Sequence, residues 1–171
     1  MQISDFENSS SSAIYHIAFI VHDLDAALPV YSKLLGTDFH PPITSHVENR
    51  YEKGDPNPQP VDVRTAFSVA GPPYIEVFEA VADTGVYGRE QGEGFHHIGM
   101  FVEGTEQCEQ ELAKEGITAR IRLQIPEEAP IMWHSDPQDS HGLSVQFVDS
   151  SIRDYILPSL RGASGDATQQ E

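Results

Sequence analysis

The chain has little cysteine, little positive charge and no long apolar run. Its 171 residues include one cysteine, Cys108, which excludes an intramolecular disulfide. Ten basic residues stand against 27 acidic ones, and the formal net charge of −17 argues against nucleic acid and anionic membrane as partners. No apolar stretch approaches the roughly 20 residues of a membrane span. Residues 1–12 are acidic and serine-rich, unlike a secretory signal, so we expect a cytoplasmic protein.

The composition is that of a folded domain. Hydrophobic residues make up 39% of the chain and charged residues 22%, and the length suits one domain or two small modules that share a core. We predict a disordered tail over residues 1–12 and a domain over 13–150. Within that domain, modules span 13–81 and 95–150, and residues 151–171 form a partly disordered extension.

A short strand that contains a histidine occurs twice. Residues 15–21 read Tyr-His-Ile-Ala-Phe-Ile-Val, and residues 96–102 read His-His-Ile-Gly-Met-Phe-Val. Side chains alternate along a strand, so His16 shares a face with Ala18, and His97 shares a face with Gly99. A polar ring beside a very small side chain indicates a cavity. The repeat therefore predicts a site built from two half-sites.

The same order of elements follows each copy. Asp23 or Asp25 can cap a first helix, which Gly36 ends. Alternation and turn residues predict an α+β fold with the order βαβββ twice. The predicted strands are 14–21, 37–47, 61–69, 74–79, 96–102, 117–123, 131–134 and 143–148, the second helix is 107–114, and exposed connections cover 52–60 and 82–94.

Each module ends in an apolar strand that carries one polar residue. Glu76 lies in Ile-Glu-Val-Phe and Gln146 in Val-Gln-Phe-Val. If the modules pack symmetrically, these residues converge with His16 and His97. Two imidazoles, a carboxylate and an amide oxygen suit one divalent ion of Co, Ni, Zn, Mn or Fe. Any of the four alone has a plainer explanation, such as a hydrogen-bonded histidine or a solvent-facing carboxylate, but their matched positions favour a metal site.

A second group of residues competes for the metal. His134, Asp136 and His141 fall within eight positions and could bind zinc. The segment Asp-Pro-Gln-Asp-Ser-His-Gly is also typical of a turn between strands. We favour the turn, with Trp133 and His134 lining a pocket.

These segments together resemble the vicinal oxygen chelate superfamily of glyoxalases, bleomycin resistance proteins and dioxygenases over roughly residues 13–150. The resemblance lies in residues 15–28, 64–67, 75–78, 92–102 and 141–148, and it is closest to methylmalonyl-CoA epimerase-like proteins. It implies a glyoxalase-like fold in which the two βαβββ modules form a cupped mixed sheet. The four metal positions of the family then fall on His16, Glu76, His97 and Gln146. His97 is chosen because it aligns with His16, whereas His96 is expected to face the other side of the strand.

The resemblance implies a metal-dependent isomerase, epimerase or lyase. Such an enzyme would act on a small carbonyl or acyl-thioester substrate through a metal-stabilised enolate, as a homodimer. The order of Glu76 and Gln146 is reversed relative to the epimerases, and Gln146 cannot take a proton, which argues against lactoylglutathione lyase activity. Extradiol ring cleavage is disfavoured as well. Glu76, if it detaches partly from the metal, and Glu48 are the candidate bases, although Glu48 is more typical of an exposed strand residue than of a base.

The alternative function is not enzymatic. Binding proteins of the same fold sequester hydrophobic or cationic small molecules without a metal, and a net charge of −17 suits a cationic ligand. Such proteins generally lack the metal residues. Retention of all four donor positions therefore favours the enzyme.

Overall fold

Two copies of one βαβββ unit make up the described chain, which comprises residues 14–124, 130–154 and 156 of a computed structural model. The predicted tail 1–12 and most of the predicted extension after residue 150 lie outside these residues. The elements are β1 (Ile14–Val21), α1 (Leu24–Leu35), β2 (Ile43–Glu52), β3 (Gln59–Phe67), β4 (Tyr74–Glu79), β5 (Gly94–Val102), α2 (Thr105–Lys114), β6 (Ala119–Gln124), β7 (Pro130–Ser135) and β8 (Val145–Asp149).

The first helix begins and ends where the sequence predicts. The Asp23 carboxylate accepts a hydrogen bond from the backbone N–H of Ala26 at 2.9 Å, which satisfies a free donor of the first turn. Gly36 follows the last turn with φ at 64°, a left-handed conformation that glycine adopts at little cost. No helix among the described residues is long and apolar enough to cross a membrane.

The predicted cupped mixed sheet is confirmed, and it closes into a barrel with strand order β1-β4-β3-β2-β6-β7-β8-β5. The first and last strands of each module, β1 with β4 and β5 with β8, pair in parallel. The two modules of one chain meet along two antiparallel seams. One seam pairs residues 14–20 with 94–100, and the other pairs residues 50–52 with 121–123.

The second strand differs from its predicted bounds. Pro41 and Pro42 precede it, and it continues to Glu52 rather than ending at Val47. Its last three residues pair with β6 of the other module. This long-range pairing, which has no local sequence pattern, extends the strand into the segment predicted as a loop.

Apolar clusters lie on both sides of the sheet. Outside the barrel, α1 packs through Leu24 against Val77, and α2 packs through Cys108 near Trp133. Inside, one cluster fills the end occupied by Ile20, Phe78, Val86, Tyr87 and Ile121, and another fills the end occupied by Tyr15, Tyr74 and Val148. The strand positions between these clusters carry His16, Glu76, His97 and Gln146, so the polar candidates form a belt across the barrel interior.

Candidate metal centre

The seam between β1 and β5 brings the two repeated histidines together. In its register His16 lies opposite Gly99, and His97 lies opposite Ala18. A Cβ atom added to Gly99 would lie 2.4 Å from the His16 ring, so only glycine leaves room for that imidazole. The space that the sequence predicts as a cavity is thus occupied, at each small residue, by the histidine of the other module.

Three donor atoms converge beside this seam. The Nε2 atoms of His16 and His97 are 2.9 Å apart. Oε2 of Glu76 lies 3.2 Å from the first of these nitrogens and 3.8 Å from the second. His16 and His97 are each 2% exposed and Glu76 is 9% exposed. Among the described residues, these three form the one group of histidine, cysteine and acidic side chains whose geometry could hold a metal ion.

Glu76 is positioned by both neighbouring strands. Parallel pairing with β1 places it beside Ala18, and on β3 the Thr65 hydroxyl donates a hydrogen bond to Oε1 at 3.0 Å. Burial disfavours the charged form and raises the pKa of Glu76 to about 7, and the hydrogen bond from Thr65 opposes that rise. Because Thr65 engages Oε1, the other carboxyl oxygen faces the two imidazoles.

Burial keeps the histidines in their neutral form. It lowers the pKa of His16 to about 3 and that of His97 well below its ordinary value, with His134 and His16 lowering the latter further. The contact between His16 and Glu76 is therefore a hydrogen bond rather than an ion pair at neutral pH. Neutral imidazole is the form that ligates metal ions.

The donor set fits a divalent ion. Two neutral imidazoles and one carboxylate are ligands that Zn²⁺, Co²⁺, Ni²⁺, Mn²⁺ and Fe²⁺ all accept. The Nδ1 atom of His16 is buried without a hydrogen-bond partner. Its polar contacts are thus made through Nε2, the atom that faces His97 and Glu76.

Gln146 borders this group from β8. It pairs with Gly99, the residue that faces His16. Its amide oxygen accepts a hydrogen bond from the Tyr15 hydroxyl at 2.9 Å, and its Nε2 lies 3.2 Å from Nε2 of His134. An amide oxygen has a second lone pair, so the contact with Tyr15 orients Gln146 without excluding it as a ligand.

The expected orientation of His96 is wrong because of a β-bulge. Ala18 pairs with His97 while Phe19 pairs with Phe95, so His96 is an extra residue in β5. Its ring turns into the barrel, with its centroid 5.0 Å from that of Phe78. The sequence-based prediction assumed strict alternation, which a bulge interrupts.

The second predicted cluster does not assemble. His134 is fully buried, and its ring centroid lies 4.6 Å from that of His97. Asp136 instead accepts a hydrogen bond from Lys53 Nζ at 2.8 Å. His141 adopts a positive φ of 54° in the turn before β8 and is exposed. The segment forms the turn, and only its histidine at 134 reaches the barrel interior.

The structure does not bring Glu48 to the donor atoms. Its side chain is 76% exposed, and Oε2 lies 3.0 Å from Nε2 of His46. Val47, the next residue back along β2, packs against the interior cluster, so Glu48 points away from it.

Sequence reasoning missed two side chains that support the centre. Tyr15 and Thr65 contact Gln146 and Glu76 from other strands. Tyr15 and His96 each directly precede a repeated histidine, and both sit where the register of the β1–β5 seam shifts. Their shared position before a repeated histidine could have identified Tyr15 and His96 as candidates from the sequence. No local sequence pattern identifies Thr65.

Comparisons with known proteins identify the family and the fold. A family model described as the glyoxalase/bleomycin resistance protein/dioxygenase superfamily matches residues 15–129. No curated protein matches the sequence. The fold is similar to that of methylmalonyl-CoA epimerase from Streptomyces coelicolor, solved as a variant in complex with 2-nitronate-propionyl-CoA, with a TM-score of 0.54 and 21% identity, covering 83% of this chain and 96% of that one.

Two further solved structures share the fold. A hypothetical protein from Bacillus halodurans has a TM-score of 0.55 and 20% identity, covering 80% of this chain and 93% of that one. Methylmalonyl-CoA epimerase from Mycobacterium tuberculosis has a TM-score of 0.51 and 19% identity, with coverages of 83% and 90%. At these identities the likeness establishes the architecture.

Proposed function

The chain belongs to the glyoxalase/bleomycin resistance protein/dioxygenase superfamily, and on that premise we propose that it is a divalent-metal-dependent isomerase or epimerase. Its substrate would be a small molecule with a carbonyl or acyl-thioester group. The observation that carries the proposal is the convergence of His16 Nε2, His97 Nε2 and Glu76 Oε2 within the barrel. The charged form of a buried carboxyl is costly without a compensating partner, and burial raises the pKa of Glu76 to about 7. A cation bound between Glu76 and the two neutral imidazoles would compensate that charge.

His16, His97 and Glu76 would hold the ion, with Gln146 as the fourth protein ligand. The ion, when bound, supplies a Lewis acid that stabilises negative charge on a nearby carbonyl oxygen. Ligand type alone leaves Co, Ni, Zn, Mn and Fe as candidates.

Glu76 is the proposed base for proton removal and return at carbon. In the metal-free protein burial raises the pKa of Glu76 to about 7. A carboxylate that ligates a cation holds a proton less readily, so Glu76 would act as the base once it detaches partly from the ion. Thr65 holds Oε1, so Oε2 is the atom that would bind the ion and, once detached from it, exchange the proton. Gln146 cannot take a proton. In this proposal the second module helps to hold the ion, and the first module, through Glu76, transfers the proton. This division favours an isomerase or epimerase over a lyase that needs a carboxylate on β8.

An acyl thioester is the first substrate class to test. Structures of similar fold include methylmalonyl-CoA epimerases, one of them solved with an acyl-CoA analogue. Epimerisation at the carbon beside a thioester removes a proton from one face and returns one to the opposite face. Glu76 would remove the first proton, and inversion then needs a second acid on the other face or a turn of the planar enolate.

The first experiment measures metal content by plasma mass spectrometry on untagged protein. We expect about one divalent ion per chain in the wild type and none in the His16→Ala/His97→Ala variant. His46→Ala is the matched control, because His46 contacts Asp62 and Glu48 in an exposed cluster that could bind metal adventitiously. Loss of the ion in this control, with retention in the double variant, would contradict the proposed site.

The second experiment tests the reaction. Metal-loaded protein is incubated with branched acyl-CoA thioesters in D₂O, and NMR follows exchange of the proton beside the carbonyl. Exchange that requires Glu76 supports the proposal. A metal-free wild type, even after incubation with Co²⁺, Ni²⁺ or Zn²⁺, would instead favour the metal-free binding protein.

A further inference from the structure

A chain of hydrogen bonds runs from the connector between the modules to His97. Nε2 of His96 lies 2.9 Å from the carbonyl oxygen of Val86. Nδ1 of the same ring lies 2.8 Å from Nδ1 of His97. The opposite nitrogen of His97, Nε2, faces His16 and Glu76. Two histidine rings in series thus connect a backbone carbonyl with the donor cluster.

The acceptor at one end determines where each proton lies. A carbonyl oxygen only accepts, so His96 Nε2 must carry the proton that it donates to Val86. A neutral imidazole has a single N–H, and Nδ1 of His96 is then a bare acceptor. His97 consequently donates from Nδ1, which leaves the lone pair of its Nε2 directed at the donor cluster.

We propose that His96 is a positioning residue that fixes the tautomer of His97, so that Nε2 of His97 is held ready to ligate the metal ion. The inference rests on the proposed function, because it concerns the same metal site. Outer partners of this kind orient metal-bound histidines in many proteins. Here the partner is a second histidine from the bulge in β5, a position that strict alternation would have turned outward.

The surroundings of His96 hold its ring in the required place. Its centroid lies 5.0 Å from that of Phe78, with the rings perpendicular, and 5.9 Å from that of Tyr87, with the rings stacked. Val86 and Tyr87 are themselves buried, at 2% and 7% exposure. The Val86 carbonyl, which accepts the hydrogen bond from His96, is therefore held in the interior of the barrel. We call the two hydrogen bonds that join Val86, His96 and His97 the His96–His97 relay.

The two repeated histidines differ in this respect. Nδ1 of His97 has a partner, whereas Nδ1 of His16 is buried without one. His16 is free to place its proton on either nitrogen, and in the metal-free protein its Nε2–H can donate toward His97 Nε2 or Glu76 Oε2. With Nε2 of His16 as a ligand, the proton of this neutral ring would lie on Nδ1, whereas the tautomer of His97 would be the same with and without the ion.

Two substitutions at His96 separate its two contacts. In His96→Asn, an amide oxygen occupies nearly the position of Nδ1 and can still accept from His97. In His96→Gln, the amide reaches the position of Nε2 and can donate to Val86 but offers His97 no acceptor. We expect the glutamine variant to bind Zn²⁺ and Co²⁺ roughly 10–100-fold more weakly than the wild type, and the asparagine variant to bind within about threefold of it.

Metal dissociation constants come from competition with a chromophoric chelator, and thermal unfolding confirms that each variant is folded. Equal affinities for wild type and His96→Gln would overturn the proposal. So would an asparagine variant as weak as the glutamine variant, since packing rather than the acceptor would then explain the loss.

A direct reading of the tautomer needs no variant. Long-range ¹H–¹⁵N correlation spectra of the metal-free wild type distinguish protonated from bare ring nitrogens, and we expect the His97 proton on Nδ1. A proton on Nε2 would overturn the inference whatever the metal affinity. A wild type that binds no metal, but has the His97 proton on Nδ1, would overturn the proposed function and leave the His96–His97 relay in place.

Discussion

The two modules place equivalent polar residues in the barrel interior but surround them differently. In the first module Glu76 is held by a hydroxyl, that of Thr65. In the second, Gln146 lies between Tyr15 of the first module and His134 of its own. The only carboxylate of the donor set therefore lies on one side.

The second module is instead rich in imidazoles. His96, His97 and His134 are packed together, with ring centroids 4.6 to 6.3 Å apart. The repeated backbone sets where the candidate donor atoms lie. The residues that differ between the two copies, Glu76 against Gln146 above all, decide which half carries the charge. Each substitution below makes the halves more alike or more different.

Replacing the carboxylate should have the largest effect. Glu76→Gln makes the closing strands of the two modules alike and leaves the donor set without formal charge. We expect divalent metal affinity to fall by more than the roughly 10–100-fold that loss of an outer partner causes. Isothermal titration with Zn²⁺ measures this change, and thermal unfolding confirms that the variant is folded.

The exchanged pair is the matched control for that loss. Glu76→Gln/Gln146→Glu returns one carboxylate to the set, on the other side and next to the Tyr15 hydroxyl. If ligand charge determines affinity, the double variant recovers most of it. An exchanged variant as weak as the single one would show that the support from Thr65 matters more than charge.

The single substitution Glu76→Gln should stabilise the metal-free protein at high pH. Burial raises the pKa of Glu76 to about 7, so the unfolded chain loses this proton before the folded one does. Stability is therefore lost as pH rises from about 4.5 to about 7. Glu76→Gln removes the loss, and at pH 8 its free energy of unfolding should exceed that of wild type by up to about 3 kcal/mol. Urea unfolding at pH 5 and pH 8 should show the advantage at pH 8 only.

Gly99→Ala tests the close approach at the seam. Its Cβ would lie 2.4 Å from the His16 ring, which would have to move. We expect a destabilisation of about 1–3 kcal/mol, together with weaker metal binding. Chemical unfolding and metal titration measure the two effects. A variant with unchanged affinity would show that the ring adjusts without losing its donor position.

Acid should weaken the imidazole-rich half. Burial holds the pKa of His134 well below its ordinary value, with His96 and His16 lowering it further. The unfolded chain then binds a proton that the folded chain rejects, and stability is lost as pH falls below about 6.5. In metal-free His134→Gln, the dependence of unfolding free energy on pH between 5 and 6.5 should be shallower by up to about 1.4 kcal/mol per pH unit. The variant of exposed His141→Gln controls for the loss of a histidine as such.

Ala18→Gly should have the smallest effect. Ala18 faces His97 as Gly99 faces His16, so the substitution makes the two small positions identical. We expect a loss of about 0.5–1 kcal/mol from added backbone freedom and little change in metal affinity. A large loss of affinity would show that the methyl group of Ala18 helps to hold His97.

Much of the fold could be predicted from the sequence because the elements of both modules show local patterns of alternation, capping and turn residues. β1 and β4 have the predicted bounds, and Asp23 and Gly36 delimit α1. The length of β2 was not readable, because its last residues are strand through pairing with β6. Such pairing depends on how the modules close, which a period of two along one strand does not encode.

The candidate site divides in the same way. The structure brings together His16, Glu76 and His97, which occupy matched positions in the repeat. The inward turn of His96 depends on one extra residue between two paired strands. Thr65 contacts Glu76 from a neighbouring strand in a register that the sequence alone does not fix. The assignment of the four donors to one bound ion stays a prediction.

The two seams of the barrel are unequal in length. Among the described residues, six pairs join β1 to β5, whereas three join β2 to β6. Local opening of a protein follows the contacts that cost least to break. The backbone amides of residues 50–52 should therefore exchange with deuterium sooner than those of β1. The barrel would therefore open first between β2 and β6, while β1 and β5, which carry the histidines on the opposite side, stay paired.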